Sequence, residues 1–250
     1  MLTPISWPTR SALVLLLVLA PFSHGWADTD GPVPQFSRID TLHAGWEPLE
    51  FPNIGRHSQY ELVRDDGVQV VKATTAQSAS GLIARVTVDP REHPILQWRW
   101  KVSKIYNAGD ARKKAGDDYP ARIYVAFAFE PDKASFFERA KRQAIKALMG
   151  EALPGNALNY IWASKLPVES LVPNPFTDKT QMIAVNSGPA QVGQWVTVRR
   201  DIVADYTRAF GEAPPAIVGV GIMSDSDNTG ESAMAWYGDV QLLPRASAEQ

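Results

Sequence analysis

Nine side chains have the types and spacings that chemistry or binding would need. Asp225 and Asp227 alternate in the run Asp225-Ser226-Asp227-Asn228-Thr229-Gly230. Alternate carboxylates can converge on one hard cation such as calcium, which takes carboxylate and amide oxygens. Tested as an EF-hand, Asp225, Asp227 and Gly230 fill positions one, three and six, but position twelve, which needs a bidentate Glu, is Trp236. A looser calcium site would recruit Asp117, Asp118 or Asp239. The competing account is a loop rich in Asx turns, whose side chains bond their own backbone. Zinc is not expected: there is no cysteine, and His43, His57 and His93 have no ligand spacing.

Asp117 and Asp118 lie in a Gly- and Lys-rich stretch just before Arg122 and Tyr124. With Asp225, Asp227 and Asp239 they offer enough carboxyls for a glycan hydrolase or lyase, which needs two of them facing across a cleft, roughly 5–10 Å apart. Arg99, Arg122 and Tyr124 would stabilise an anionic substrate or a developing charge. Arg122 paired with Asp118 or Asp239 in a buried network is the plainer alternative. Arg99, Arg122, Tyr124, Tyr237 and Asp239 also suit a sheet face that holds a sugar or another polar ligand without any reaction. A third reading makes Asp225–Ser232 a docking loop for a cell-envelope protein. The binding reading leads because it asks least of the chain. No Ser-His-Asp order, GxSxG, phosphate loop or dinucleotide fingerprint is present.

The elements that must position these residues follow from strand periodicity. Leu96, Trp98, Trp100 and Val102 alternate with Gln97, Arg99 and Lys101, which predicts a strand over 94–103 with one core face. Ile123, Val125, Phe127 and Phe129 repeat the pattern against Arg122, Tyr124 and Ala126 over 121–130. Strands are also expected at 60–63, 68–74, 81–89, 157–163, 180–186 and 195–201. Asp65-Asp66-Gly67 reads as a hairpin turn. Between 104 and 120 the composition is that of a mobile loop.

From 132 to 150, Phe137, Ala140, Ala144 and Leu148 recur at helical spacing, with Asp132 as cap and Gly150 as stop. This helix is basic. Packing on a sheet with a solvated face is preferred over lying on an anionic membrane. A short helix is expected around Val203, Tyr206 and Phe210. The end of the chain, 217–242, reads as a hairpin. Val218, Val220 and Ile222 share one face of its first strand, with Gly219 and Gly221 on the other. Met234, Trp236, Val240 and Leu242 share a face of the second, with Tyr237, Asp239 and Gln241 opposite. The expected fold is mainly β: a jelly-roll-like antiparallel β-sandwich with one inserted amphipathic helix.

Residues 11–22 form an apolar run too short to span a bilayer, and Gly25-Trp26-Ala27 suits signal peptidase. The expected organisation is a signal peptide over 1–27, an N-terminal arm over 28–50 and one domain over 51–250, exported and periplasmic. No later run is apolar enough to cross a membrane. The formal net charge of −2 argues against nucleic acid as partner.

Several stretches occur together in order: WRWK at 98–101, GDDYPARIYVAF at 116–127, NYIW at 159–162, RRDIVADYTRAFG at 199–211, GVGIMSDSDNTG at 219–230 and AWYGDV at 235–240. The set resembles the bacterial family catalogued as domain of unknown function 3047, over about residues 51–243. The resemblance implies an exported bacterial protein and carries no activity. AWYGDV is also similar to the last strand of carbohydrate-binding jelly rolls, which implies a glycan ligand by analogy alone.

Overall fold

The computed structural model describes residues 31–245 apart from 52–53, 138, 140–141 and 144–153, so the expected signal peptide lies outside the described residues. In chain order the strands are β1 (Glu47–Leu49), β2 (Gln59–Asp65), β3 (Val68–Ala76), β4 (Ala79–Val88), β5 (Ile95–Val102), β6 (Arg122–Phe127) and β7 (Ala157–Ala163). They continue with β8 (Leu171–Asn174), β9 (Thr177–Ser187), β10 (Val196–Asp201), β11 (Ile217–Asp225), β12 (Ser232–Tyr237) and β13 (Gln241–Leu243); α1 (Ile202–Phe210) follows β10. Two sheets form. One runs β1-β4-β11-β6-β7-β9-β8. The other runs β10-β5-β12-β3-β2, with β13 beside β5. The protein is a jelly-roll-like β-sandwich, antiparallel except where β7 and β9 run parallel.

Period-two alternation builds its core. Leu96, Trp98, Trp100 and Val102 of β5 face Ile123, Val125 and Phe127 of β6 and Leu158, Tyr160 and Trp162 of β7 across the interior, all of them buried. The rings of Trp98 and Tyr160 lie 5.4 Å apart, and those of Trp100 and Trp162 6.0 Å apart. Asp66 (φ 51°) and Gly67 (φ 79°) make the two-residue turn between β2 and β3, the backbone that this hairpin requires. The arm is part of the sandwich: Val33, Phe36 and Trp46 join the core, and β1 pairs with β4.

Residues 104–121 are not a free loop. Ala111 and Tyr119 pack with Ile161, Ala163, Leu166, Met182 and Ala184 in a second apolar cluster on the outer side of the seven-stranded sheet. That cover explains why all seven residues of β7 are buried, not alternate ones.

The terminal stretch corrects a sequence expectation. β11 and β12 are not a hairpin, because β11 pairs with β4 and β6 while β12 pairs with β3 and β5. The loop between them crosses from one sheet to the other. A register shift between Ile217 and Gly219 also changes the phase of β11, so Ile217 joins Val220 and Ile222 in the core and Val218 does not. A similar slip separates Tyr237, opposite Trp100, from Gln241, opposite Gln97. Ala235, Tyr237, Val240 and Leu242 therefore face inward, and Met234 and Trp236 face outward.

Among the described residues of the predicted basic helix, Phe136, Phe137, Arg139, Arg142 and Gln143 are helical. Phe136 and Phe137 are 72% and 83% exposed, so they do not pack on a sheet. Asp132 lies in a short 3-10 turn, and the proposed stop at Gly150 lies outside the described residues. α1 begins at Asp201, whose carboxylate accepts from Ala204 N at 3.1 Å, and ends at Gly211 in the left-handed region. Among the described residues no helix is long and apolar enough to cross a membrane.

Candidate functional site

Six of the nine predicted residues meet at one end of the sandwich. β6 opens with Arg122 and β11 closes with Asp225, and these strands are neighbours, with Arg122 opposite Met223. Arg122 Nη2 forms an ion pair with Asp225 Oδ2, both residues being almost fully buried. Asp225 Oδ1 accepts from Tyr119 N at 3.1 Å. Asp117 accepts from the Tyr119 hydroxyl and from Asn174 Nδ2, both at 2.9 Å. Asp118 accepts from Asn228 N and Nδ2 at 3.3 and 3.1 Å and from Thr229 N at 2.5 Å. Asp118 thus holds the 226–230 loop, which Thr75 also tethers through Ser226 Oγ at 2.8 Å.

Burial pushes the Asp117 carboxyl above the usual range, against the pull of Arg122 and its two donors. Partial burial and then Asp118 push Asp227 up as well. For Arg122 burial alone would lower the pKa, but Tyr124, Asp117, Tyr119 and Asp118 together hold the guanidinium charged. Its guanidinium carbon lies 5.0 Å from the Tyr119 ring centre and 5.7 Å from that of Tyr124. Buried polar atoms without a hydrogen bond among the described residues include Arg122 Nε, the Tyr106 hydroxyl and both amide atoms of Asn159, which sits opposite Tyr124 on β7.

Asp118, Asp225 and Asp227 each bring one carboxylate oxygen within 4.8 Å of the others, a donor set that suits a hard divalent cation. Both oxygens of Asp225 and of Asp118 already accept hydrogen bonds. A cation there would share Asp225 with Arg122. The cluster as it stands is a hydrogen-bonded network around one arginine. Its loop is bonded by Asp118 from another segment, where the sequence alone predicted self-bonded Asx turns.

The other three predicted residues do not share this face. Tyr237 is in the core, and its hydroxyl donates to Met223 O at 2.7 Å and accepts from Arg122 N at 3.3 Å. Asp239 holds the N-terminal segment, accepting from Ser37 N at 2.9 Å and Ser37 Oγ at 2.6 Å. Arg99 lies on the outer face of the other sheet, since Trp98 and Trp100 beside it point inward. A single face bearing Tyr124, Tyr237, Arg99, Arg122 and Asp239 therefore does not exist. The phase slip after Tyr237 and the division into two sheets are the reasons.

That outer face of the six-stranded sheet holds residues that sequence reasoning missed. Trp236 stands opposite Lys101 on β5, and Trp195 immediately precedes β10, which pairs with β5 on its other side. Lys101 Nζ lies 4.7 Å from the Trp236 ring centre and 5.1 Å from that of Trp195. Asp65 at the end of β2 accepts from Lys101 Nζ at 2.6 and 2.7 Å and from Trp195 Nε1 at 2.9 Å. β2 and β10 are opposite edges of the sheet, so this contact reaches across the face and closes one end of it. The Lys101 ammonium, through its hydrogen bond, holds the Asp65 carboxyl below its usual range. The available signal was the pair of tryptophans themselves, but strict alternation placed Trp236 on the core face.

A family model described as "Protein of unknown function (DUF3047)" matches residues 44–241. The chain belongs to this family. The match spans both sheets, the Arg122 network and the Trp195–Trp236 face. A search of curated proteins found no match. Among solved structures, the chain is similar to a family 11 carbohydrate-binding module from Clostridium thermocellum in complex with a β-1,3-1,4-mixed-linked tetrasaccharide. Identity is 9% and the TM-score 0.39, with 86% of this chain and 95% of that one covered.

Proposed function

We propose that this is an exported, periplasmic binding protein that holds a carbohydrate or another polar ligand on the outer face of the six-stranded sheet. One observation carries the reading: Trp195 and Trp236 lie half-buried on the same face, on either side of Lys101. Indole rings supply stacking area, and the charged groups between them supply directional hydrogen bonds. The paired-carboxylate hydrolase has less support, because Asp117, Asp118 and Asp225 are engaged by fixed internal donors. Docking of an envelope protein through 225–232 has less support too, because Asp225 and Ser226 are buried.

The test is a glycan array probed with the purified protein, with and without calcium, followed by calorimetric titration of any hit. Trp236→Ala and Trp195→Ala are each expected to weaken binding about tenfold or more while leaving the protein folded. Glycan binding that survives both substitutions would place the ligand elsewhere. Calcium dependence would move attention to Asp225 and Asp227.

A further inference from the structure

Arg99 is held in one place and, among the described residues, forms no ion pair. Its guanidinium carbon lies 4.4 Å from the ring centre of Trp195. Its stem runs past Gly238, whose N–H donates to Arg99 O at 2.9 Å. A Cβ at position 238 would fall 2.5 Å from Arg99 Cγ and 2.8 Å from Nε. Gly238 has no positive φ, so the room it leaves for Arg99, and not backbone conformation, is what a side chain there would disturb. Among the described residues the Arg99 side chain makes no hydrogen bond and no ion pair, and packing on Trp195 and Gly238 holds it.

The neighbouring charges are already matched. Lys101 is paired with Asp65, and Lys72 with Glu61 at 2.9 Å. Asp65, the acid that Arg99 feels at longer range, is engaged by Lys101 and by the Trp195 indole. Of Arg99, Lys101 and Lys72, only Arg99 therefore keeps an uncompensated charge. A guanidinium over an indole face leaves the N–H groups at its own planar edge free to meet the two oxygens of a carboxylate. Such a group, fixed beside Trp195, is suited to recognise charge on a sugar.

We propose that the glycan bound on this face is acidic, with Arg99 contacting a uronate carboxylate and Trp195 and Trp236 carrying the sugar rings. This rests on the binding reading given above and names the ligand class for the same site. The experiment compares an oligogalacturonate with a neutral cello-oligosaccharide of equal length, using calorimetry on the protein and on Arg99→Gln, Arg99→Lys and Gly238→Ala. Circular dichroism and melting confirm that each variant is folded.

The oligogalacturonate is expected to bind at least about tenfold more tightly than the neutral chain. Arg99→Gln should bring the two affinities together. Arg99→Lys should restore only part of the preference, since an ammonium lacks the planar fork. Gly238→Ala should weaken acidic binding although Arg99 is intact. Equal affinity for the two chains, or a preference that survives Arg99→Gln, overturns the assignment while leaving a glycan-binding face. A preference for sulfated dextran over oligogalacturonate overturns the carboxylate. Binding of neither oligosaccharide by a folded protein overturns this assignment, and the glycan array with the Trp195 and Trp236 variants then decides the face reading separately.

Discussion

Of the arginines that sit beside aromatic rings, Arg122 and Arg99 have opposite environments. Arg122 is 4% exposed, lies between Tyr119 and Tyr124, and is paired with Asp225. Arg99 is half-buried, lies on Trp195, and among the described residues is paired with no carboxylate. The difference is one of solvent. A charge removed from water must be paired and hydrogen-bonded or the fold loses several kcal/mol. A charge at the surface can remain unpaired at little cost and is then available to a ligand. The carboxylate cluster around Arg122, although richer in polar groups, is thus the weaker candidate for a binding site, and the sparser tryptophan face the stronger.

Breaking the buried side of this comparison should have the largest effect. Arg122→Leu leaves Asp225 buried without its partner, and a loss of about 3–5 kcal/mol in urea unfolding is expected. Arg122→Leu combined with Asp225→Leu should recover part of that loss, because the orphaned charge is gone. A double variant no more stable than the single one would mean that the pair is not the organising contact.

Next comes the hydroxyl below Arg122. Tyr237→Phe removes the donor to Met223 O and the acceptor of Arg122 N, and should cost about 1–2 kcal/mol without changing ligand affinity. A binding defect with normal stability would return Tyr237 to the ligand site.

The smallest effect expected is a pH dependence. The folded-state pKa of Asp117 is raised above its unfolded value, so the native state binds the extra proton between the two. Its contribution to stability therefore falls as pH rises through that window. Asp117→Asn, which carries no charge, should gain on the wild type as pH rises above the usual carboxylate range. Urea midpoints at three pH values check this, and a constant difference would contradict it.

The strands around the core were readable because one residue in two is apolar and large. β5, β6 and β7 fall where alternation predicts them, and the Asp66-Gly67 turn fixes the β2–β3 register. The convergence of Asp117, Asp118 and Arg122 was partly legible as well, since they lie within six residues of one another. Their meeting with Asp225 was not, because it depends on β6 and β11 being neighbours across about a hundred residues of chain. Phe137 followed the helical period and is nonetheless exposed, since periodicity says which residues share a face and nothing about what covers it.

By itself the sequence determined a β-rich sandwich, its main core rows, the tight hairpin turn and the residue types able to bind a polar ligand. These follow from period-two patterning and from local backbone preference, which act over a few residues. Only the tertiary structure decided which sheet each strand joins, where bulges reverse its faces, and which charges find partners. It placed Trp236 outside and Tyr237 inside, against strict alternation, because a one-residue slip exchanges the two faces of a strand. It also paired Arg122 and left Arg99 open. That choice depends on which distant segments cover each side chain, and no local pattern carries it.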